Sequence, residues 1–247
     1  MPDDHAINAP AAEQAMFSDR LEQHLAPYRR HVLECQMIKE CQQGTLPVHC
    51  IRSWIAQQYA YVYAFPAWFG MVLRKVDDPV CRAAMMANIG EERGHPPLWL
   101  ALAGGWGLSA ETVAATELCP EMQALNDYLW CLSFDGHVVQ AGAALCVALE
   151  GMSKAVIDTI TPALARHYNG RDGVRLDAKA LGWLTTHATV DVEHEADGAN
   201  LLDHYATTPE LQQKAMFAGR RALEFLRLGF DGVYCRVARP EAGATVA

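Results

Sequence analysis

The sequence predicts an all-α protein, a single-domain bundle of seven or eight helices, and three observations carry that expectation. Apolar residues recur at helical spacing in nearly every segment. No alternating apolar pattern is long enough for a strand. Helix-start and helix-stop residues punctuate the chain at short intervals, and connections this short favour antiparallel neighbours.

Residues 1–12 are rich in Pro, Ala and acid and read as a disordered lead-in; the folded domain spans 13–239, and 240–247 form a disordered tail. Helical spacing covers 14–25 and 29–43, with Pro27 expected to separate the two and Gly44 to close the second. Pro47 opens a long helix over 49–76, rich in aromatics from Trp54 to Phe69, which Pro66 should kink. Asp78 and Pro79 make a strong start, the acid as N-cap and the proline at the first helical position. That helix should reach Ala103, disturbed by Gly94, Pro96 and Pro97, and stop at the glycines around Trp106. Ser109 caps a short segment, and helices follow over 121–132 and 136–167. After a loop at 169–173, Asp177 caps a helix to Tyr205, and Thr208-Pro209 starts the last one, to Val237.

The 247 residues are 51% hydrophobic, enough for a sizeable core. A net charge of −9 is spread along the chain with no basic cluster, which argues against a nucleic-acid partner. Eight cysteines without a Cys-x-x-Cys pair, behind an acidic N-terminus, suit free thiols in a reducing cytoplasm. The longest apolar stretch, 138–160, is broken by Gln140, Glu150, Lys154 and Asp158, so no membrane span is expected. An enzyme or a helical interaction protein remains.

His187, Asp191 and His194 are spaced four and three apart, and at about 100° per residue they share one helix stripe. Leu184 and Val190 lie on the same stripe, so it should face a core, where an unpartnered carboxylate costs several kcal/mol. Glu92 and His95, with Glu91 as a rival to Glu92, form a second candidate pair. Glu150 is the only charge between Asp135 and Lys154. Each alone has a bland reading: Glu-x-x-His pairs occur on ordinary helix faces, and Glu150 alone could be a buried acid bonded to a tyrosine. Together they offer three carboxylates and three imidazoles from three helices, a set that two divalent cations bring close to neutrality. Such ligands suit iron or manganese, and the lack of a thiolate speaks against structural zinc.

The Asp191-Val-Glu-His194 signature, His187 before it, Glu150 in its apolar helix and Glu91-Glu-Arg-Gly-His-Pro-Pro-Leu-Trp99 resemble the haem-oxygenase-like diiron oxidases and oxygenases over about residues 14–237. These are relatives of pyrroloquinoline-quinone synthase and thiaminase II. The resemblance implies a haem-oxygenase-like bundle in which Glu92, His95, Glu150, His187, Asp191 and His194 hold two Fe(II) ions. It also implies O2 as co-substrate and a small-molecule substrate; the sequence leaves open the external electron donor, for which a reductase is a candidate, and whether the chain forms a homodimer. The reaction implied is N-oxygenation of an amine or oxidation of an amino-acid-derived substrate. An alternative with the same metals is oxidative decarboxylation or desaturation of a fatty acid, against which the polar Gln57, Gln58, Tyr59 and Tyr63 speak. One departure is Asn88, where several family members carry the first glutamate, so Glu92 or Glu91 must substitute. A metal-free, thiaminase-like hydrolase would use Cys146, and a haem site would need His24 or His31. Arg52 and Arg93 are further candidates, as anchors for a substrate carboxylate.

Overall fold

The computed structural model describes residues 16–238, without the side chains of 188–195 and 238, and among the described residues there is no strand. The helices are α1 (Phe17–Leu33), α2 (Gln36–Gln43), α3 (Val48–Leu73), α4 (Pro79–Glu92), α5 (His95–Gly105), α6 (Ala110–Ala114), α7 (Pro120–Phe134), α8 (Val138–Gly142), α9 (Gly151–His167), α10 (Gly182–Tyr205) and α11 (Pro209–Ala238). Eight π-helical residues, Ala143–Glu150, join α8 to α9 as one rod. Rejoining that rod, and α4 with α5, and setting aside the short α6 leaves eight helices among the described residues. The lead-in at 1–12 and the tail at 240–247 lie outside the described residues.

Local chemistry explains most boundaries. Asp78 Oδ1 accepts hydrogen bonds from the amides of Val80 (3.0 Å) and Cys81 (2.8 Å), with Pro79 leading α4. Ser109 Oγ accepts from the Thr112 amide, and Gly44 closes α2 in the left-handed region at φ 71°. Two expectations, those for Pro27 and Asp177, are corrected. Pro27 does not divide the first helix, because it sits on the exposed face of α1; the break falls at Cys35, whose Sγ caps α2 by accepting from the Ile38 amide. Pro66 lies within α3 without ending it. Asp177 caps a turn through the Ala180 amide, and α10 starts only at Gly182.

The rod of α8, the π segment and α9 runs through the middle of the bundle, with α10 and α11 packed along it and α3 set against α5, α7 and α11. Every residue of the π segment is buried. Trp54 of α3, Trp99 of α5 and Trp183 of α10 meet edge to face, at 5.7 Å and 4.5 Å between ring centroids. Trp99 Nε1 also donates to the Ile55 carbonyl at 2.9 Å. Each aromatic pair adds about 0.5–1.5 kcal/mol beyond its burial, so this ladder ties three separate helices together. No described helix is long and apolar enough to cross a membrane.

Gly198 lets α10 press against the π segment: a Cβ there would lie 2.5 Å from Cys146 Cβ. Both partners are buried backbone or short side chain, so neither can step aside cheaply. Gly198→Ala should therefore cost about 1–3 kcal/mol. In thermal unfolding this reads as a Tm lower by roughly 2–10 °C for a chain of this size.

Candidate metal centre

Glu92 closes α4 and His95 opens α5, with Gly94 at the joint donating its amide to the Glu91 carbonyl at 2.8 Å. Pro96 and Pro97 then fall in the first turn of α5, where a missing N–H costs nothing. The disturbance read in the sequence is thus a helix boundary, and it turns both side chains inward. Glu91 is exposed, whereas Glu92 and His95 are each 5% exposed, Glu150 4% and His187 7%.

These four side chains line one cavity, walled also by Tyr61, Phe65 and Trp183. Glu92 Oε2 and His95 Nδ1 are 2.7 Å apart, and the His95 and His187 rings lie 4.2 Å apart. His187 Nδ1 is 2.9 Å from the Trp183 carbonyl. A carbonyl only accepts, so Nδ1 carries the proton and donates, which leaves the Nε2 lone pair to face a cation. The same reasoning applies to His95, whose Nδ1–H donates to the Glu92 carboxylate. Fixing one ring nitrogen in this way is how proteins orient imidazole ligands.

Glu150 stands at the end of the π segment, and its Oε1 accepts from Asn88 Nδ2 at 3.2 Å. Arg29 of α1 reaches across to the Val147 carbonyl inside that segment, at 2.6 Å, and also meets Glu22 at 2.8 Å. The widened turn is therefore held from a neighbouring helix, and π turns of this kind recur at functional sites. Among the described residues, no Lys or Arg lines the cavity. Two buried carboxylates and two imidazoles oriented through Nδ1, in a pocket without a fixed cation, fit a metal ion.

Asp191 and His194 follow His187 on α10, but their side chains lie outside the described residues. Among the described residues, no three donors stand close enough to complete a site alone.

A family model described as iron-containing redox enzyme, of the haem-oxygenase type, matches residues 52–227. The chain belongs to this family of iron-containing redox enzymes. Among the relatives of this chain, the 4-aminobenzoate synthase of Nitrosomonas europaea is 24% identical over 218 residues, covering 83% of this chain and 86% of the relative. A TenA homologue from Pseudomonas syringae pv. tomato superposes with a TM-score of 0.78 at 20% identity, over 88% of this chain and 92% of the other. A domain of unknown function with a haem-oxygenase-like fold, from Shewanella denitrificans, gives 0.76 at 20% identity, over 92% and 96%. The fold is therefore haem-oxygenase-like.

Other sequence candidates sit elsewhere in the chain. Cys146 lines a different cavity, with Cys81, Asn88 and Asp197; burial pushes its thiol well up, and Glu150 and Asp197 add to the effect. A nucleophile needs the thiolate, which this setting opposes. His31 is exposed, and His24 lies against Tyr28 at 5.9 Å. Arg52 is engaged by the Trp106 and Asp172 carbonyls, and Arg93 is exposed. Sequence reasoning missed two supports: Asn88, noted only as a departure, and the Trp183 carbonyl. The signal for Asn88 was its spacing of four before Glu92, the same face of α4.

Proposed function

We propose that this chain holds two ferrous ions with Glu92, His95, Glu150, His187, Asp191 and His194, and uses O2 to oxidise an amine or an amino-acid-derived substrate. The observation that carries it is the meeting of two carboxylates and two imidazoles, from four helical segments, in one buried cavity that no Lys or Arg among the described residues lines. Two ferrous ions bound there would supply electrons to dioxygen and so the oxidant for a C–H, C–C or N–H bond.

The chain's own contribution is positioning. His187 presents Nε2 because Trp183 holds its other nitrogen, Glu92 steadies the His95 ring, and Asn88 aims one oxygen of Glu150. Tyr61, Phe65 and Trp183 wall the site with aromatic surface and keep water out. The likeness to a 4-aminobenzoate synthase supports a nitrogen-bearing substrate or product. Electrons for repeated turnover would come from an external donor, a reductase being the expected partner.

Purified protein given ferrous iron without oxygen should take up about two equivalents and develop a ferric absorption band when oxygen is admitted. Uptake no greater than background would sink this reading. It would favour instead a metal-free hydrolase using Cys146, although Cys146 lines a different cavity from Glu92 and Glu150.

A further inference from the structure

The cavity at Glu92 and Glu150 is the first of three in a row. A middle chamber shares Tyr61, Ser153 and Trp183 with it, and shares Trp54, Val156, Ile160 and Phe230 with a far chamber whose walls reach Met37, Leu46 and Leu164. The lining positions step by three and four along α3, from residue 65 to 51, and along the opposed rod, from 150 to 164. The row therefore follows one face of each helix, over roughly 20 Å at the α-helical rise per residue.

Among the described residues, no charged side chain lines the middle or the far chamber, so whatever occupies them is uncharged there. The far chamber is apolar throughout. The middle one is walled by three residues whose buried polar atoms lack a hydrogen-bond partner: Trp54 Nε1, Trp183 Nε1 and Gln58 Oε1. All three residues are more than nine-tenths buried. Buried donors and acceptors are rarely left unmatched, so two N–H groups and one carbonyl oxygen call for a neutral partner with both functions. An amide supplies both. The chambers are narrow, about 40 Å³ in the middle and about 20 Å³ at each end, counting space open to the centre of a water molecule. That suits a slender unbranched chain better than a fused ring system.

We infer that the substrate is an amino-acid head joined through an amide to an unbranched apolar chain, bound along this row with its head at the metal cavity. The inference rests on the iron-site reading for the placement of the head. Of the four polar residues that spoke against an apolar tunnel, three do not line it. Gln57 bridges the Glu117 carbonyl and the Cys119 amide, Tyr63 is 65% exposed, and Tyr59 lies against Tyr63; only Gln58 faces inward.

The test is calorimetric titration, without oxygen, of iron-loaded and iron-free protein with acetylglycine, hexanoylglycine, decanoylglycine and dodecanoylglycine. Affinity should rise by about fourfold per methylene until the far chamber is full, and then level off. A straight-chain carboxylic acid of matching length should bind roughly tenfold more weakly, because it leaves the three polar atoms unmatched. Ile160→Phe, at the junction of the two inner chambers, should move the levelling-off to a shorter tail; Leu164→Ala, at the far wall, should move it to a longer one even if the first variant folds poorly. Affinity independent of tail length overturns the inference, and equal binding of the plain acid overturns the amide. Iron uptake is measured on the same samples. Tail-dependent binding by protein that takes up no iron would sink the iron reading alone, whereas about two irons bound without tail dependence would sink the chambers alone.

Discussion

Glu150→Gln should lower iron-dependent oxygen consumption by at least about two orders of magnitude, since altering even an outer partner of a metal ligand costs 10–100-fold. The substitution keeps the side chain's shape, and its amide oxygen would still accept the Asn88 hydrogen bond at the end of the π segment. What it removes is the negative charge that a cation needs. In iron-free protein the same charge is a burden, because Glu150 is 4% exposed and shares its cavity with a second carboxylate, Glu92. Iron-free Glu150→Gln should therefore unfold at the wild-type temperature or above it, by roughly 2–8 °C if about 1–2 kcal/mol of burial cost is relieved. An oxygen electrode and a melting curve taken with chelator present read both effects. Full oxygen consumption, or a collapse of the iron-free fold, would make Glu150 a structural acid.

Ferrous iron should raise the wild-type Tm in proportion to the logarithm of its concentration. A ligand that binds only the folded chain at a hundredfold its Kd contributes about 2.7 kcal/mol per site. For a domain of this length that is roughly 5–11 °C per site, reversed by chelator. His95 and His187 come from helices far apart in sequence, with Glu150 on a third, so the unfolded chain cannot reproduce the set. A melting temperature indifferent to iron would mean that the folded state does not hold it. The response should be lost in Glu150→Gln, which links the two measurements.

Much of the architecture was legible because it rests on local chemistry. The Asp78-Pro79 start, the Ser109 cap and the Gly44 stop act within a turn, and periodicity carries the long helices. Pro27 misled because a proline on the solvent face of a helix costs less than one facing the core, and facing is a tertiary property. Glu92, His95, Glu150 and His187 were readable as chemically odd residues in apolar surroundings. Asn88 and the Trp183 carbonyl were not, because their roles depend on which atoms meet across helices. The polarity of Gln57 and Tyr63 was read correctly, but their direction was not. The row of chambers left no sequence signal either, since it is made of the same core residues that would pack without it.

The π segment constrains how this chain can change. Deleting one residue between positions 143 and 150 would permit ordinary α-helical bonding through the rod, yet it would swing one end against the other by about 100°. Either α8 would turn its apolar side away from α11, or the acid at the far end would rotate out of register with the two imidazoles. Residue-by-residue replacement in this stretch is therefore far better tolerated than any loss of length, and an insertion–deletion scan would find its sharpest boundary here.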